Sequence, residues 1–215
     1  MATSTLSKFT VPLSNDQSAS SQGLLMPKLK YRFRARFTSF GVTAQDSELT
    51  KQVVDIKRPN VTFAPVTIDV YNSKVYLQGK PEWQETTINF RDDATGQVTK
   101  LIGEQIQKQF DFLEQSSAPS GINYKFNVEY DILDGGNGNI TPTVLEQWSL
   151  IGCFLSSVDY GDMSYGSNDP VQIACNIRFD NAIQTIGSAG SLVGWKTERT
   201  NTPGDTATGG EVAGN

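Results

Sequence analysis

The chain has 215 residues, 37% of them hydrophobic, a formal net charge of −5, two cysteines and no histidine. The length fits one domain with terminal extensions, and the lack of histidine excludes Ser-His-Asp and Cys-His catalysis and histidine-based zinc sites. The negative balance argues against non-specific nucleic-acid binding by the molecule as a whole, and two cysteines do not make a disulfide framework. No apolar run approaches the roughly 18 residues of a membrane span. No charged-then-apolar leader precedes a cleavage site, so a product that stays in a cytoplasm after synthesis is expected.

Residues 1–23 are mostly Ser, Thr, Gln, Asn and Asp and read as a flexible arm. Phe9, Val11 and Leu13 alternate within it, which suits a strand added to a partner. The domain is expected to start at Leu24. Lys30–Phe37 alternates, with Tyr31, Phe33, Ala35 and Phe37 on one side and Lys30, Arg32, Arg34 and Arg36 on the other, the pattern of a half-buried strand. No aromatic residues interleave on the basic face as a nucleic-acid platform needs. The favoured partners of those cations are therefore carboxylates on neighbouring strands or another subunit. Gly41–Glu48 reads as a polar loop and Leu49–Arg58 as a second strand stopped by Pro59. Val61–Val70 is extended, with Pro65 interrupting its ladder. Asn72-Ser73 reads as a turn before Tyr71–Gln78 continues, and Gly79-Lys80-Pro81 as a second turn. Trp83–Asp92 alternates imperfectly around Ile88 and Phe90.

Asp92-Asp93-Ala94-Thr95-Gly96 is a helix-start signal. Val98, Leu101, Ile102, Ile106, Phe110 and Leu113 recur at spacings of three and four. They predict one amphipathic helix over about Thr95–Gln115, its stripe lying on a sheet. Tyr124–Ile132 is the cleanest strand, with Tyr124, Phe126, Val128, Tyr130 and Ile132 on one face and Lys125, Asn127, Glu129 and Asp131 on the other. DGGNGN (134–139) lacks the Lys-Ser/Thr or helix-opening context of a phosphate loop and reads as a flexible turn. Leu145–Leu155 and Val171–Phe179 are two further strands, the latter with Val171, Ile173, Cys175, Ile177 and Phe179 on one side. The Asp159–Pro170 link between them is long for a hairpin turn. After Ile186 the composition turns to Ser, Gly, Thr, Ala and Asn, so residues 187–215 are expected to form a mobile tail. The sum is seven or eight strands and one helix. That is a mainly β chain, α+β in a strict count: a β-barrel or sandwich of two packed sheets with one flanking α-helix over residues 24–186.

Three stretches carry a resemblance: RPNVTFAPVTIDVYNSKVYLQGKPEWQETTINFRDD (58–93), the helix after it, and WSLIGCFLSSVDYGDMSYGSNDPVQIACNIRFDNA (148–182). In the order strand, protruding hairpin, tryptophan-led strand, helix and closing segment, the chain resembles the tube proteins of contractile phage tails. It resembles the type VI secretion tube protein more distantly. The likeness spans about Leu24–Ile186, and both polar ends depart from it. It implies a structural virion protein with no enzymatic role and no cofactor. Hexameric rings of such subunits would stack helically into a hollow tube, assembled in the host cytoplasm. Its partners would be further copies, the tail sheath protein, and baseplate and tail-terminator proteins. DNA would cross the lumen without specific binding, and no membrane would be involved.

An acidic or neutral wall would let a duplex slide, whereas a basic one would bind it by counterion release. Glu129 and Asp131 are therefore lumen-lining candidates, with Glu85 a weaker third; pairing with Arg32, Arg34 and Arg36 at a subunit boundary is the alternative. Contacts between rings or subunits are expected from Tyr71, Lys74, Tyr76 and Lys80 on the protrusion, from Asp159, Tyr160, Asp162 and Tyr165 on the link, and from the N-terminal arm. Cys153 and Cys175 read as reduced core residues, with an inter-subunit disulfide as the alternative. A protein-carrying injection tube and a monomeric ligand-binding β-barrel are the competing readings. A carboxylate-pair glycosidase is the weakest, since nothing pairs two carboxylates convincingly.

Overall fold

The computed structural model describes residues 5–10, 23–25, 27–42, 46–117, 124–135, 142–186 and 190–193. The expectations for residues 11–22, 136–141 and 194–215 lie outside the described residues. In chain order the elements are β1 (Thr5–Thr10), β2 (Gly23–Leu25), β3 (Phe33–Thr38), α1 (Asp46–Gln52), β4 (Val53–Ile56), β5 (Val61–Val70), β6 (Ser73–Trp83), β7 (Thr86–Arg91), α2 (Gln97–Gln109), β8 (Phe110–Asp111), β9 (Ser116–Ser117), β10 (Phe126–Leu133), β11 (Val144–Asp159), β12 (Gln172–Arg178), β13 (Asn181–Ile186) and β14 (Gly190–Val193).

The body is two antiparallel layers that share one strand. One runs β3–β10–β11–β13–β14 and the other β11–β12–β7–β4. The shared strand, β11, is 16 residues long. Its first part lies between β10 and β13, with Ser149 opposite Glu129 and Ile183. Its last part leaves them and pairs with β12 from Phe154 to Asp159. The changeover falls at Gly152, which has a φ of 70°. Only glycine adopts that backbone without strain. The Gly152 N–H donates to Asn127 Oδ1 at 3.1 Å, which holds the bend.

Alternation puts the apolar halves of both layers into one core. Val128, Leu150 and Cys153 come from one layer, and Ile88, Ile173, Cys175 and Ile177 from the other. Phe37 meets Phe90 and Phe40 with ring centroids 5.6 and 5.7 Å apart, and Phe40 meets Phe126 edge-on at 4.8 Å. α2 buries Val98, Leu101 and Ile102. Full burial of side chains like these contributes roughly 2 kcal/mol each. Gln105 of α2 is buried too, and both ends of its amide are bonded: Gly41 N–H donates to its Oε1, and its Nε2 donates to the Tyr124 carbonyl.

The expected class, mainly β with packed antiparallel sheets, is what the structure has. Several local expectations change. Leu49–Arg58 is not one strand: α1 covers Asp46–Gln52 and β4 only Val53–Ile56. Glu, Leu, Lys and Gln favour a helix there, and Leu49 is fully buried. The second helix is shorter than Thr95–Gln115. Phe110 is extended (φ −153°), and the Asp111 carboxylate accepts from the N–H groups of Leu113 and Glu114. Such a local turn competes with further helix and leaves Leu113 in solvent. Asp93 fulfils the start signal, accepting from the Gln97 N–H at 3.1 Å.

Gly79-Lys80-Pro81 is not a turn, because β6 runs straight through it. The register steps from Pro65↔Gln78 to Phe63↔Pro81, so Gly79 and Lys80 share Ala64 as their partner in a bulge. A Cβ at Gly79 would lie 2.0 Å from the Ala64 carbonyl oxygen. β1, inside the expected arm, pairs with β2 at the expected start of the domain, and β14, inside the expected tail, pairs with β13.

One buried charge makes a pH test. Glu146 is nearly covered, and its carboxylate accepts from Lys28 Nζ, Trp148 Nε1 (2.6 Å) and Gln184 Nε2 (2.9 Å). Burial pushes its pKa up, yet the three donors together hold it below the ordinary 4.5. With the folded value depressed, the unfolded chain binds the proton first. The contribution is therefore complete above pH 4.5 and is lost as pH falls through the folded value. Urea midpoints of the wild type should drop on acidification below pH 4.5, and Glu146→Gln should flatten that slope. Parallel slopes would mean other carboxylates dominate.

Candidate assembly surfaces

β5 and β6 form a two-stranded ladder that pairs with no other strand among the described residues. Tyr71-Asn72 closes it as a two-residue loop, with Tyr71 at φ 40° between the paired Val70 and Ser73. Cross-strand pairing of Val66 with Leu77 and Ile68 with Val75 puts these four and Val70 on one face. All five are 44–52% exposed. The other face carries Thr67, Tyr76, Asp69 and Lys74, the last two within 3.6 Å. The hairpin joins the body at its base, where Trp83 packs on Phe179 with centroids 5.7 Å apart. A lone hairpin is marginal in water, and an apolar face of this kind is a candidate contact surface.

The contact candidates Tyr71, Lys74, Tyr76 and Lys80 all lie on this hairpin and are exposed. The apolar face beside them is a feature the sequence reading missed. Its signal was present: Val66, Ile68 and Val70 alternate before the turn, and Val75 and Leu77 after it. Alternation alone does not say whether a face meets a core or a partner.

The Asp159–Pro170 link leaves the end of β11, and its whole length is exposed. Asp159 Oδ1 accepts from the Gly161 N–H at 2.9 Å, and Asp169 Oδ2 accepts from Ser167 Oγ at 2.9 Å. Asp159, Tyr160, Asp162 and Tyr165 all sit on this edge, and Tyr165 projects fully into solvent. Beside it a cavity of about 710 Å³ opens between the end of α2 and the edge of β11. Ile106, Phe110, Phe112, Leu113, Val158 and Tyr160 line it. The Gln109 amide plugs the edge at Leu155, donating to its carbonyl and accepting from its N–H, both at 2.9 Å.

The basic face of β3 is paired across the ladder with β10. Arg34 lies opposite Asp131 and Arg36 opposite Glu129. The Arg34 guanidinium donates to Asp131 Oδ2 at 2.7 Å, and Arg36 reaches Glu129 at 3.1 Å and Asp131 at 3.4 Å. Asp131 has no exposed side-chain surface, and its Oδ1 has no hydrogen-bond partner. Glu85 is separate from them: it and Glu82 flank Arg178 at 3.6 and 3.3 Å. The carboxylates named for the lumen are thus all ion-paired within their own chain. Cys153 and Cys175 are free and fully covered, and burial pushes each thiol up to about 12. Such thiols are unreactive near neutral pH.

No protein-family model matches the sequence, and no curated protein matches it. Among solved structures, the fold is similar to a chain in the tube-terminating cap of the anti-feeding prophage, with a TM-score of 0.56, 11% identity, and coverage of 80% of this chain and 99% of that one. It is similar to a chain in the anti-feeding prophage baseplate, with a TM-score of 0.54, 14% identity, and coverage of 75% and 97%. A chain in the extended sheath-tube complex of an extracellular contractile injection system aligns with a TM-score of 0.52, 12% identity, and coverage of 74% and 92%.

Proposed function

We propose that this chain, whose fold is that of subunits found in contractile injection machines, is a structural, non-catalytic building block of a contractile tube. The observation that carries this is the hairpin of β5 and β6, which holds five apolar side chains in water on a subunit whose core is otherwise well enclosed. Hydrophobic exposure on that scale is resolved by association. The strands at the open edges of both layers add to the argument, because unpaired edges are a liability unless covered.

The finer reading is a hexameric ring that stacks helically into the inner tube of a contractile phage tail, inside a sheath and between baseplate and terminator, with the genome crossing its lumen in the virion. Glu129 and Glu85 stay the lumen proposals; Asp131, whose side chain has no exposed surface, faces the interior of its own chain and cannot line a wall. Their charges are offset by Arg36 and Arg178, so the wall that Glu129 and Glu85 would offer DNA is balanced instead of acidic. A second reading is a tube or cap subunit of an extracellular injection system. The fold similarity to a chain of an extracellular contractile injection system supports it.

Negative-stain microscopy of the purified full-length chain tests the common part. Rings or hollow tubes are expected. A monomer at every concentration would sink it and leave the ligand-binding barrel. Nucleic acid or protein inside isolated particles separates the two finer readings.

A further inference from the structure

A second surface, formed by β3 and β4 and not by the Asp159–Pro170 link, has the reverse charge. A cleft of about 550 Å³ opens between the start of β3 and the end of β4. Lys28, Lys30, Arg32 and Arg58 line it, against a single carboxylate, Asp55. Lys28 is spent on Glu146, and Asp55 accepts from Asn89 Nδ2 at 2.9 Å. Arg32 donates to the Asp134 carbonyl, which carries no charge. Lys30 and Arg58 have no anionic partner among the described residues.

Tyr130 also lines the cleft, and its hydroxyl is buried without a hydrogen-bond partner. Burial pushes that phenol far up, with the nearby Arg58 charge pulling against it. It stays a neutral O–H donor. A buried donor left unpaired costs free energy, so a cationic cleft holding one is built to accept an acceptor that also carries negative charge.

The matching acceptor is on the same chain. From Asp159 to Val171 there is no lysine or arginine, and three aspartates. Asp159 and Asp169 are engaged in local turns. Asp162, exposed at the link's outer reach, has no described partner. The cleft lies where β3 and β4 meet, and the link joins the ends of β11 and β12, so the two patches are different parts of the subunit surface. A contact between two unlike patches of identical subunits is head-to-tail, and it propagates into a ring or a helix.

We propose that the cleft between β3 and β4 receives the Asp162 carboxylate of a second copy, with Arg58 and Lys30 as its charged partners and the Tyr130 hydroxyl as donor. This rests on the assembly reading above and names the side-to-side contact within it. Desolvated charge pairs of this kind set register and are sensitive to truncation of either member, and salt weakens their exposed parts.

Charge exchange tests the contact. Both positions are exposed, so Arg58→Glu and Asp162→Lys should leave thermal unfolding unchanged. In sedimentation velocity on the full chain, each single variant should raise the concentration for half-assembly about tenfold. The chain carrying both changes should return to within about threefold of wild type, because the pair is restored with its signs reversed. Single variants that assemble like wild type, or a double variant no better than either single, would overturn the contact while leaving the assembly reading standing. Calorimetric titration with inorganic phosphate adds another arm. If Arg58→Glu abolishes phosphate binding and assembly is untouched, the cleft serves a free anion and the proposal fails. A wild-type chain that never assembles removes both.

Discussion

A chain carrying Ile68→Asp and Val75→Asp should remain a folded monomer and form neither rings nor tubes. The two side chains are directly paired and sit in the middle of the apolar hairpin face, at 44% and 46% exposure. They contribute nothing to the core, so the body should keep its stability. In a contact, burying what remains exposed of each would supply about 1 kcal/mol. Two carboxylates in the same place add a desolvation penalty that an apolar surface does not offset. A loss of about 3 kcal/mol per contact is more than a hundredfold in association, repeated at every subunit. Sedimentation velocity and negative-stain images read the assembly, and circular dichroism reads the fold. Thr67→Asp, on the other face of the ladder, is the control and should have a much smaller effect. Normal tubes from the Ile68/Val75 variant would place that face in water in the assembled state and remove the observation on which the proposed function rests.

Gly152→Ala should lower the unfolding free energy by about 3 kcal/mol, from two sources. A left-handed backbone costs a residue with a Cβ about 1–2 kcal/mol. The new Cβ would also lie 2.2 Å from Asp180 Oδ2 and 2.9 Å from its Cγ. Asp180 can rotate away only by giving up its ion pair with Lys125. Crowding of this sort costs about 1–3 kcal/mol. Urea unfolding should show the loss with an unchanged slope. Asp180→Ala in the Gly152→Ala background should recover the steric part and leave the backbone part. A Gly152→Ala chain as stable as wild type would mean that β11 can turn between its two sheets without this bend.

The elements most legible in the sequence are those whose pattern is local. β10 and β12 alternate with period two, and α2 repeats its apolar residues at three and four; all three are present close to where periodicity puts them. Where the pattern misled, a local competitor won. The Asp111 turn ended α2 before Leu113, and helix-favouring residues claimed Asp46–Gln52 ahead of β4. The candidate surfaces were legible in part. The hairpin and the acidic link could be named as exposed and rich in recognition groups. The lumen candidates could be named as carboxylates on the polar face of a strand, but not as partners of Arg34 and Arg36. That pairing needs the β3–β10 register, which sequence spacing does not contain.

By itself, then, the sequence determined the class of the fold, the lack of histidine chemistry, the position of the long helix and the order strand, hairpin, strand, helix, closing segment. These depend on interactions within a few residues and on side-chain period. Tertiary structure alone decided that β11 belongs to two sheets through Gly152, that the Val66–Leu77 face has no core to meet, and that Lys30, Arg58 and the Tyr130 hydroxyl converge on one cleft. Each depends on residues far apart in the chain being brought together, and the free energy that does so belongs to the packed core, not to any one segment.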